Sequence, residues 1–185
     1  LVCSSTYANG HRSIDGIPAS VSAIPSMMYE PYVTSQFKDN GQDGLASLLN
    51  KEGYSTYFYH GGNLGTMGFE SFANVAGFDE YIGRMDYPDQ TKYDGHWGIY
   101  DNYFLEFTAT DLSNSKEPFF ATVFTLSSHH PYSMPVEFEG QFPKGTLPTH
   151  ESMGYLDHSL RMFFNKAAEQ PWYANTIFII TADHT

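Results

Sequence analysis

Cationic side chains are scarce in this sequence: nine lysines and arginines stand against 21 aspartates and glutamates, a formal net charge of −12. Binding to a phosphate backbone rests on Lys and Arg, so the shortage argues against nucleic acid as a partner. An anionic substrate would have to be met by one of very few cations or by a bound metal. Cysteine is scarcer still. Cys3 stands alone, which excludes an internal disulfide framework and a thiolate metal cluster. No stretch reaches the roughly 18 apolar residues of a membrane helix, and no basic start followed by an apolar core marks a signal peptide. Internal repeats and low-complexity tracts are also missing.

What is present is bulky core material, with an aromatic share of 17% in 185 residues, enough for one domain with a sizeable core. Three segments have strand character, residues 54–59, 119–126 and 176–181, and each follows a stretch with helical character, at 44–51, 101–112 and 151–169. That alternation predicts an α/β fold, a mostly parallel sheet flanked by helices. In the last helix Met153, Leu156, Leu160, Phe163, Phe164 and Ala167 recur at spacings of three and four, a stripe that predicts packing on the sheet. Gly61-Gly62 and the prolines at 131–135 and 143–148 mark loops.

Polar residues follow each predicted strand: His60 after the first, Ser127-Ser128-His129-His130 after the second, Asp183-His184 after the third. In open parallel sheets ligands bind beyond the carboxyl ends of the strands, so these groups are expected to share a cleft. Adjacent carboxylate and imidazole suit Zn²⁺ or Mn²⁺, although two ligands are half a site. Near the start, Ile14, Ile17, Val21 and Ile24 share one helical face, which puts Ser13 at or just before a helix N-terminus. Free N–H groups and the positive dipole end favour an anion there; the alternative is that Ser13 merely caps the helix. Arg12 beside it could clamp a phosphate or sulfate oxygen, or be an ordinary solvated charge.

Taken in order, Gly10-His11-Arg12-Ser13, the run 125–132 (Thr-Leu-Ser-Ser-His-His-Pro-Tyr) and Thr181-Ala182-Asp183-His184 resemble the sulfatase-like branch of the alkaline phosphatase superfamily. The resemblance is strongest to its lipoteichoic acid synthase and phosphoglycerol transferase group. Supporting segments are 53–61, Gly77-Phe78-Asp79 and 154–160, so nearly the whole chain takes part. The resemblance implies an extracytoplasmic catalytic domain tethered by N-terminal membrane helices and holding one divalent cation, Mn²⁺ foremost, with Mg²⁺, Ca²⁺ or Zn²⁺ as alternatives. It gives Ser13 the place of the nucleophile and of a metal ligand, and makes Asp183 and His184 metal ligands. His129 matches a substrate-contacting histidine, and on this reading His129 and Arg12 are the catalytic and substrate-contacting partners of Ser13; His60, by its strand-end place, is expected either to bind substrate or to be a buried histidine bonded to a backbone carbonyl. The substrate implied is an anionic phospholipid or glycan headgroup.

Two further expectations follow. An acidic ligand on a strand before the nucleophile belongs to the family pattern, so residues 1–185 are expected to be an internal fragment of one such catalytic domain, inactive alone. The Trp and Arg with which lipoteichoic acid synthases hold glycerol phosphate are replaced here by Thr66-Met67-Gly68-Phe69, which leaves Arg12 and Arg84 as candidate cations for the headgroup. Sulfate-ester hydrolysis is the nearest rival, but its Cys/Ser-x-Pro-x-Arg motif is absent, since Ile14-Asp15-Gly16 follows Ser13. A non-catalytic headgroup-binding module is the rival from another class. His158 is expected to pack on its helix, His11 and His150 to be solvated loop residues, and the turn at His96-Trp97 to position a loop or touch substrate.

Overall fold

The computed structural model describes residues 7–184; Cys3 lies outside them. The elements run α1 (Ser13–Ser22), α2 (Leu45–Lys51), β1 (Ser55–His60), α3 (Phe69–Val75), β2 (Glu80–Ile82), α4 (Asp101–Asp111), β3 (Phe119–Phe124) and α5 (Thr149–Ala167), joined by loops and short 3₁₀ turns. The three strands form one parallel sheet in the order β2-β1-β3. Tyr57 to Tyr59 of β1 lie opposite Glu80 to Ile82, and Ser55 to His60 opposite Phe119 to Phe124. The predicted α/β class with a parallel sheet flanked by helices is what the chain adopts.

Period-two alternation along β1 explains the layering. Tyr57 and Tyr59 point to one face and pack with Phe104, Leu105 and Ala109 of α4 and Phe163 and Ala167 of α5. Phe58 points to the other face and meets Ile17 and Val21 of α1, Ala46 of α2 and Phe69, Phe72 and Ala73 of α3. Sandwiched between two helical layers, the Ser-Thr-Tyr-Phe-Tyr-His run is buried on both sides, as expected of a central parallel strand. Tyr59 reaches the edge of its layer, where its hydroxyl donates to Asp111 at 2.8 Å; burial and this carboxylate push its pKa up.

Two expectations are corrected. Residues 176–181 carry β-type composition but form no strand. A strand exists only where a neighbour takes its N–H and C=O groups, and this segment is held instead by Phe178, which packs among Phe163, Phe164, Trp172 and Tyr173, while Ile177, Ile179 and Ile180 are 88%, 85% and 69% exposed. The second correction is to α5. Its buried positions are Ser152, Tyr155, Ser159, Phe163 and Ala167; Phe163 and Ala167 are as predicted and Leu160 and Phe164 pack against the same core, but in the first half of the helix Ser152 and Tyr155 take the buried places and Met153 faces solvent. Small serines at those positions let α5 approach α4 closely, and Ser159 returns its hydroxyl to the Tyr155 carbonyl at 2.8 Å, so the polar positions are buried without an unmet hydrogen bond. Sequence reading also passed over α3 and the three-residue β2.

Candidate active site

Ser13 is the first residue of α1, and Arg12 in extended conformation is the residue that caps it. The Arg12 carbonyl takes the N–H groups of Asp15 and Gly16 at 2.9 and 3.0 Å. Ser13 is only 3% exposed, yet its hydroxyl makes no capping bond; its Oγ lies 3.4 Å from His129 Nε2, a residue 116 positions away. The capping alternative for Ser13 therefore does not describe the structure. His129 is itself fixed: its ring Nδ1–H donates to the Leu126 carbonyl at 2.9 Å and its backbone N–H to the same oxygen at 3.0 Å. With Nδ1 carrying the proton, Nε2 presents a lone pair to the Ser13 hydroxyl. A separation of 3.4 Å is long for such a bond, and catalytic bonds of this kind commonly shorten when substrate arrives.

Asp183 and His184 reach the same place through Gly16. A Cβ on Gly16 would lie 2.1 Å from the Asp183 carbonyl oxygen and 3.0 Å from its Cβ, so the last described residues rest directly on the first turn of α1, and glycine is the only residue that permits it. Asp183 Oδ2 is buried with no hydrogen-bond partner among the described residues. It lies 3.9 Å from His184 Nε2. A buried carboxylate oxygen without a donor is costly unless something positive meets it. An orphaned oxygen with an imidazole nitrogen alongside, and a hydroxyl on the adjoining helix turn, is a donor set that fits a divalent cation. Among the described residues no three His, Cys, Asp or Glu side chains converge, so Asp183 and His184 would supply only part of the shell such an ion takes.

Arg12 keeps its side chain 60% exposed, with Nε 3.3 Å from Asp15 Oδ2. It lines a cleft of about 560 Å³ with His11, Asp15, Tyr29 and Glu30, a cleft whose lining includes neither Ser13 nor His129. Arg84 is less available. It donates to Asn63 and Gln90 at 3.0 and 2.9 Å and lies over the Tyr93 ring at 3.7 Å, a brace between loops. Of Thr66-Met67-Gly68-Phe69 only Phe69, the first residue of α3, is buried, while Met67 is exposed. His158 stacks on Phe138 and Phe142, as expected of a helix-packing residue.

His60 is placed beneath the site rather than in it. Its ring is fully buried among Phe69, Tyr81 and Phe124, Nδ1 meets the Tyr81 hydroxyl at 2.5 Å, and Nε2 has no hydrogen-bond partner among the described residues. Gly62 covers it, for a Cβ there would lie 2.9 Å from Nε2. Burial, and then His129, push the His60 pKa from 6.5 down to about 4.

Around His129 the structure brings in the turn at His96-Trp97, expected to position a loop or touch substrate, and Asp101, which carried no sequence signal strong enough to single it out. Trp97 sits 5.4 Å from the His129 ring and donates its indole N–H to the His130 carbonyl at 2.7 Å, so the 94–98 turn walls the histidine. Gly98 closes that turn onto Gly61, with which a Cβ would collide at 2.3 Å. Asp101, at the start of α4, is 3% exposed and accepts the backbone N–H groups of Leu126 and Ser127 at 2.8 and 3.0 Å. Burial outweighs those bonds and raises its pKa from 3.8 to about 6.

His60 and Asp101 give opposite contributions to acid stability. A histidine with a depressed folded pKa stabilises fully above its unfolded value of 6.5 and loses that contribution as pH falls toward 4, about 3 kcal/mol for a shift of this size. Asp101, whose folded pKa is raised, binds its proton more tightly when folded, so stability rises by about 3 kcal/mol as pH falls from 6 toward 3.8. The wild-type slopes offset each other. Urea midpoints measured from pH 4 to 7 should therefore steepen in opposite directions, with His60→Gln gaining relative stability on acidification and Asp101→Asn losing it. Equal slopes in both variants and wild type would show that neither group titrates as its burial requires.

A match to the family "Sulfatase" runs over residues 1–185. Phosphoglycerol transferase I of Citrobacter koseri is 27% identical over 193 residues, and that of Escherichia coli strain 55989 is 26% identical; each alignment takes in 93% of this chain and 24% of the relative. The chain thus spans about a quarter of the length of those proteins. Among solved structures, a protein in the alkaline phosphatase superfamily from Vibrio parahaemolyticus superposes with a TM-score of 0.78 at 30% identity, over 90% of this chain and 41% of that one. The lipoteichoic acid synthase LtaP from Listeria monocytogenes shares the fold, with a TM-score of 0.76 at 18% identity over 88% of this chain and 42% of its own. With the family pattern running from end to end and the fold matching, the chain belongs to the sulfatase family, within the alkaline phosphatase superfamily.

Proposed function

We propose that this chain is part of the catalytic domain of a metal-dependent phosphotransferase or phosphodiesterase of the phosphoglycerol transferase type, with Ser13 as nucleophile. The observation that carries the reading is the Ser13 hydroxyl held 3.4 Å from the bare nitrogen of His129 at the start of α1, where Asp183 packs against Gly16. The Ser13 oxygen attacks phosphorus, its proton passes to His129 Nε2, and the new Oγ–P bond replaces the bond to the leaving alcohol, which takes the proton from His129. A phosphoserine results, and a second hydroxyl or water reverses the steps. Arg12 balances charge on a non-bridging oxygen. When bound, a divalent cation held by Asp183, His184 and the Ser13 oxygen, Mn²⁺ in first place, supplies Lewis acidity to the hydroxyl and neutralises phosphoryl charge.

The substrate in this reading is an anionic headgroup linked to a phospholipid or glycan, and the domain works outside the cytoplasm. Among the described residues no helix is long and apolar enough to cross a membrane; a membrane tether elsewhere in the full-length protein is part of this proposal. The phosphoglycerol transferase relatives support the phosphoryl reading, and so does Ile14-Asp15-Gly16 after Ser13 in place of the sulfatase motif. The test is a side-by-side assay of the full-length protein on a chromogenic phosphodiester and a chromogenic sulfate ester, with Mn²⁺ and with chelator. Metal-dependent release from the phosphodiester is expected to dominate. Faster release from the sulfate ester would reject the assignment, and no metal-dependent release from either would favour a binding module.

A further inference from the structure

The most buried acid near the site does not touch it. Asp101 receives the N–H of Ser127 on one carboxylate oxygen and the N–H of Leu126 on the other, at 3.0 and 2.8 Å, and its own N–H goes to Ser127 Oγ at 3.0 Å. The peptide group joining Leu126 to Ser127 has two ends. Its N–H points to Asp101, and its carbonyl receives Nδ1–H of His129 at 2.9 Å and the His129 backbone N–H at 3.0 Å. From this geometry we infer that Asp101 is a positioning residue for the Ser13 reaction, acting on His129 through that single peptide group.

The physical argument has two parts. A carboxylate that pins the N–H end of a peptide fixes where its oxygen points, and that oxygen selects which ring nitrogen of His129 carries the proton and so which one faces Ser13. Hydrogen bonds in series also polarise one another in a low-dielectric interior, so a negative charge at the N–H end makes the carbonyl a stronger acceptor. The arrangement does at one remove what a buried aspartate does when it bonds a catalytic histidine directly. Keeping a carboxylate 3% exposed costs stability, and a neutral side chain would satisfy a helix start at lower cost; the charge has a use in the His129 loop. Tyr155 bonds Asn102 at the same helix start and also reaches the Ser127 side chain, but makes no hydrogen bond to the Leu126–Ser127 peptide group through which the effect passes.

This inference rests on the proposed roles of Ser13 and His129, and the experiment separates its failure from theirs. In the full-length protein with saturating Mn²⁺ and a chromogenic phosphodiester, Asp101→Asn keeps the volume and one acceptor but turns a donor toward the second N–H. It should lower kcat by about 10- to 100-fold, the range for groups that orient a reacting residue, with KM changed less than about twofold. Tyr155→Phe loses a buried hydrogen bond at the same place and should lower the melting temperature with kcat kept within about threefold. If Asp101 acts through His129, the double variant Asp101→Asn/His129→Ala should turn over as slowly as His129→Ala alone. Additive losses in the double variant, or a Tyr155→Phe loss equal to that of Asp101→Asn, would reduce Asp101 to a structural residue. An unchanged kcat in Asp101→Asn would remove it from the site altogether. Ser13→Ala run in parallel tells the two levels apart, since activity surviving that change overturns the parent reading instead.

Discussion

Replacing Ser13 with alanine is expected to lower turnover by on the order of 10³-fold or more in the full-length enzyme while leaving its folding intact, as loss of a covalent nucleophile does. The separation of effects follows from the local geometry. Arg12, not Ser13, occupies the capping position, so no cap is lost. Alanine favours the helix, and the one side-chain bond removed is the 3.4 Å contact with His129. The stability change should stay within about 1 kcal/mol. Ser13→Thr keeps the hydroxyl and should retain part of the activity, reduced because a further methyl must fit at a position only 3% exposed. Circular dichroism and phosphodiester turnover on the same preparations decide the matter. An alanine variant with near-normal turnover would mean that the attacking oxygen is not that of Ser13.

The second large effect is expected at Asp183 and His184. Substitution of either by alanine should remove bound metal and activity together, with partial recovery in excess Mn²⁺. The orphaned Asp183 oxygen adds a sign that an ordinary ligand would not show. Among the described residues that buried atom accepts no hydrogen bond and faces only His184 Nε2, at 3.9 Å, so Asp183→Ala should leave the metal-free protein at least as stable as wild type. With metal at about 100 times its Kd, wild type should gain about 2.7 kcal/mol by linkage and the variant little. Metal analysis and melting temperatures with and without Mn²⁺ check both halves. Unchanged metal content in both variants would take the ion away from these residues.

How far the sequence revealed this arrangement can be judged from particular elements. β1, β3 and the helices before them were legible because each has its own local signature, aromatic and β-branched runs or a 3.6-residue stripe. Residues 176–181 had the composition of a strand without a partner to pair with, and pairing is a property of two segments. On α5 the apolar residues pointed correctly to Phe163 and Ala167 but missed the buried Ser152, Tyr155 and Ser159, whose burial hydrophobicity does not record. Ser13 and His129 could be singled out because they lie by an element end, and Asp183 and His184 because an adjacent carboxylate and imidazole form a recognisable pair. The role of Asp101 could not, because its partners lie 25 and 26 positions away and the residue itself reads as an ordinary acidic helix start.

The seat that Gly16 provides for Asp183 also bears on how the protein comes into being. It ties the first helix to the last described residues, and closing so long a loop is slow because its entropy must be lost before the contact gives anything back. Domains are synthesised from the N-terminal side, so α1 and its hydroxyl are made well before the residues that complete the site. Through most of that interval the hydroxyl is an ordinary serine, chemically quiet toward any phosphate it meets. On the proposed mechanism, reactivity waits for that long-range contact, and a compact molecule that has not yet made it holds the Ser13 hydroxyl without Asp183 beside it.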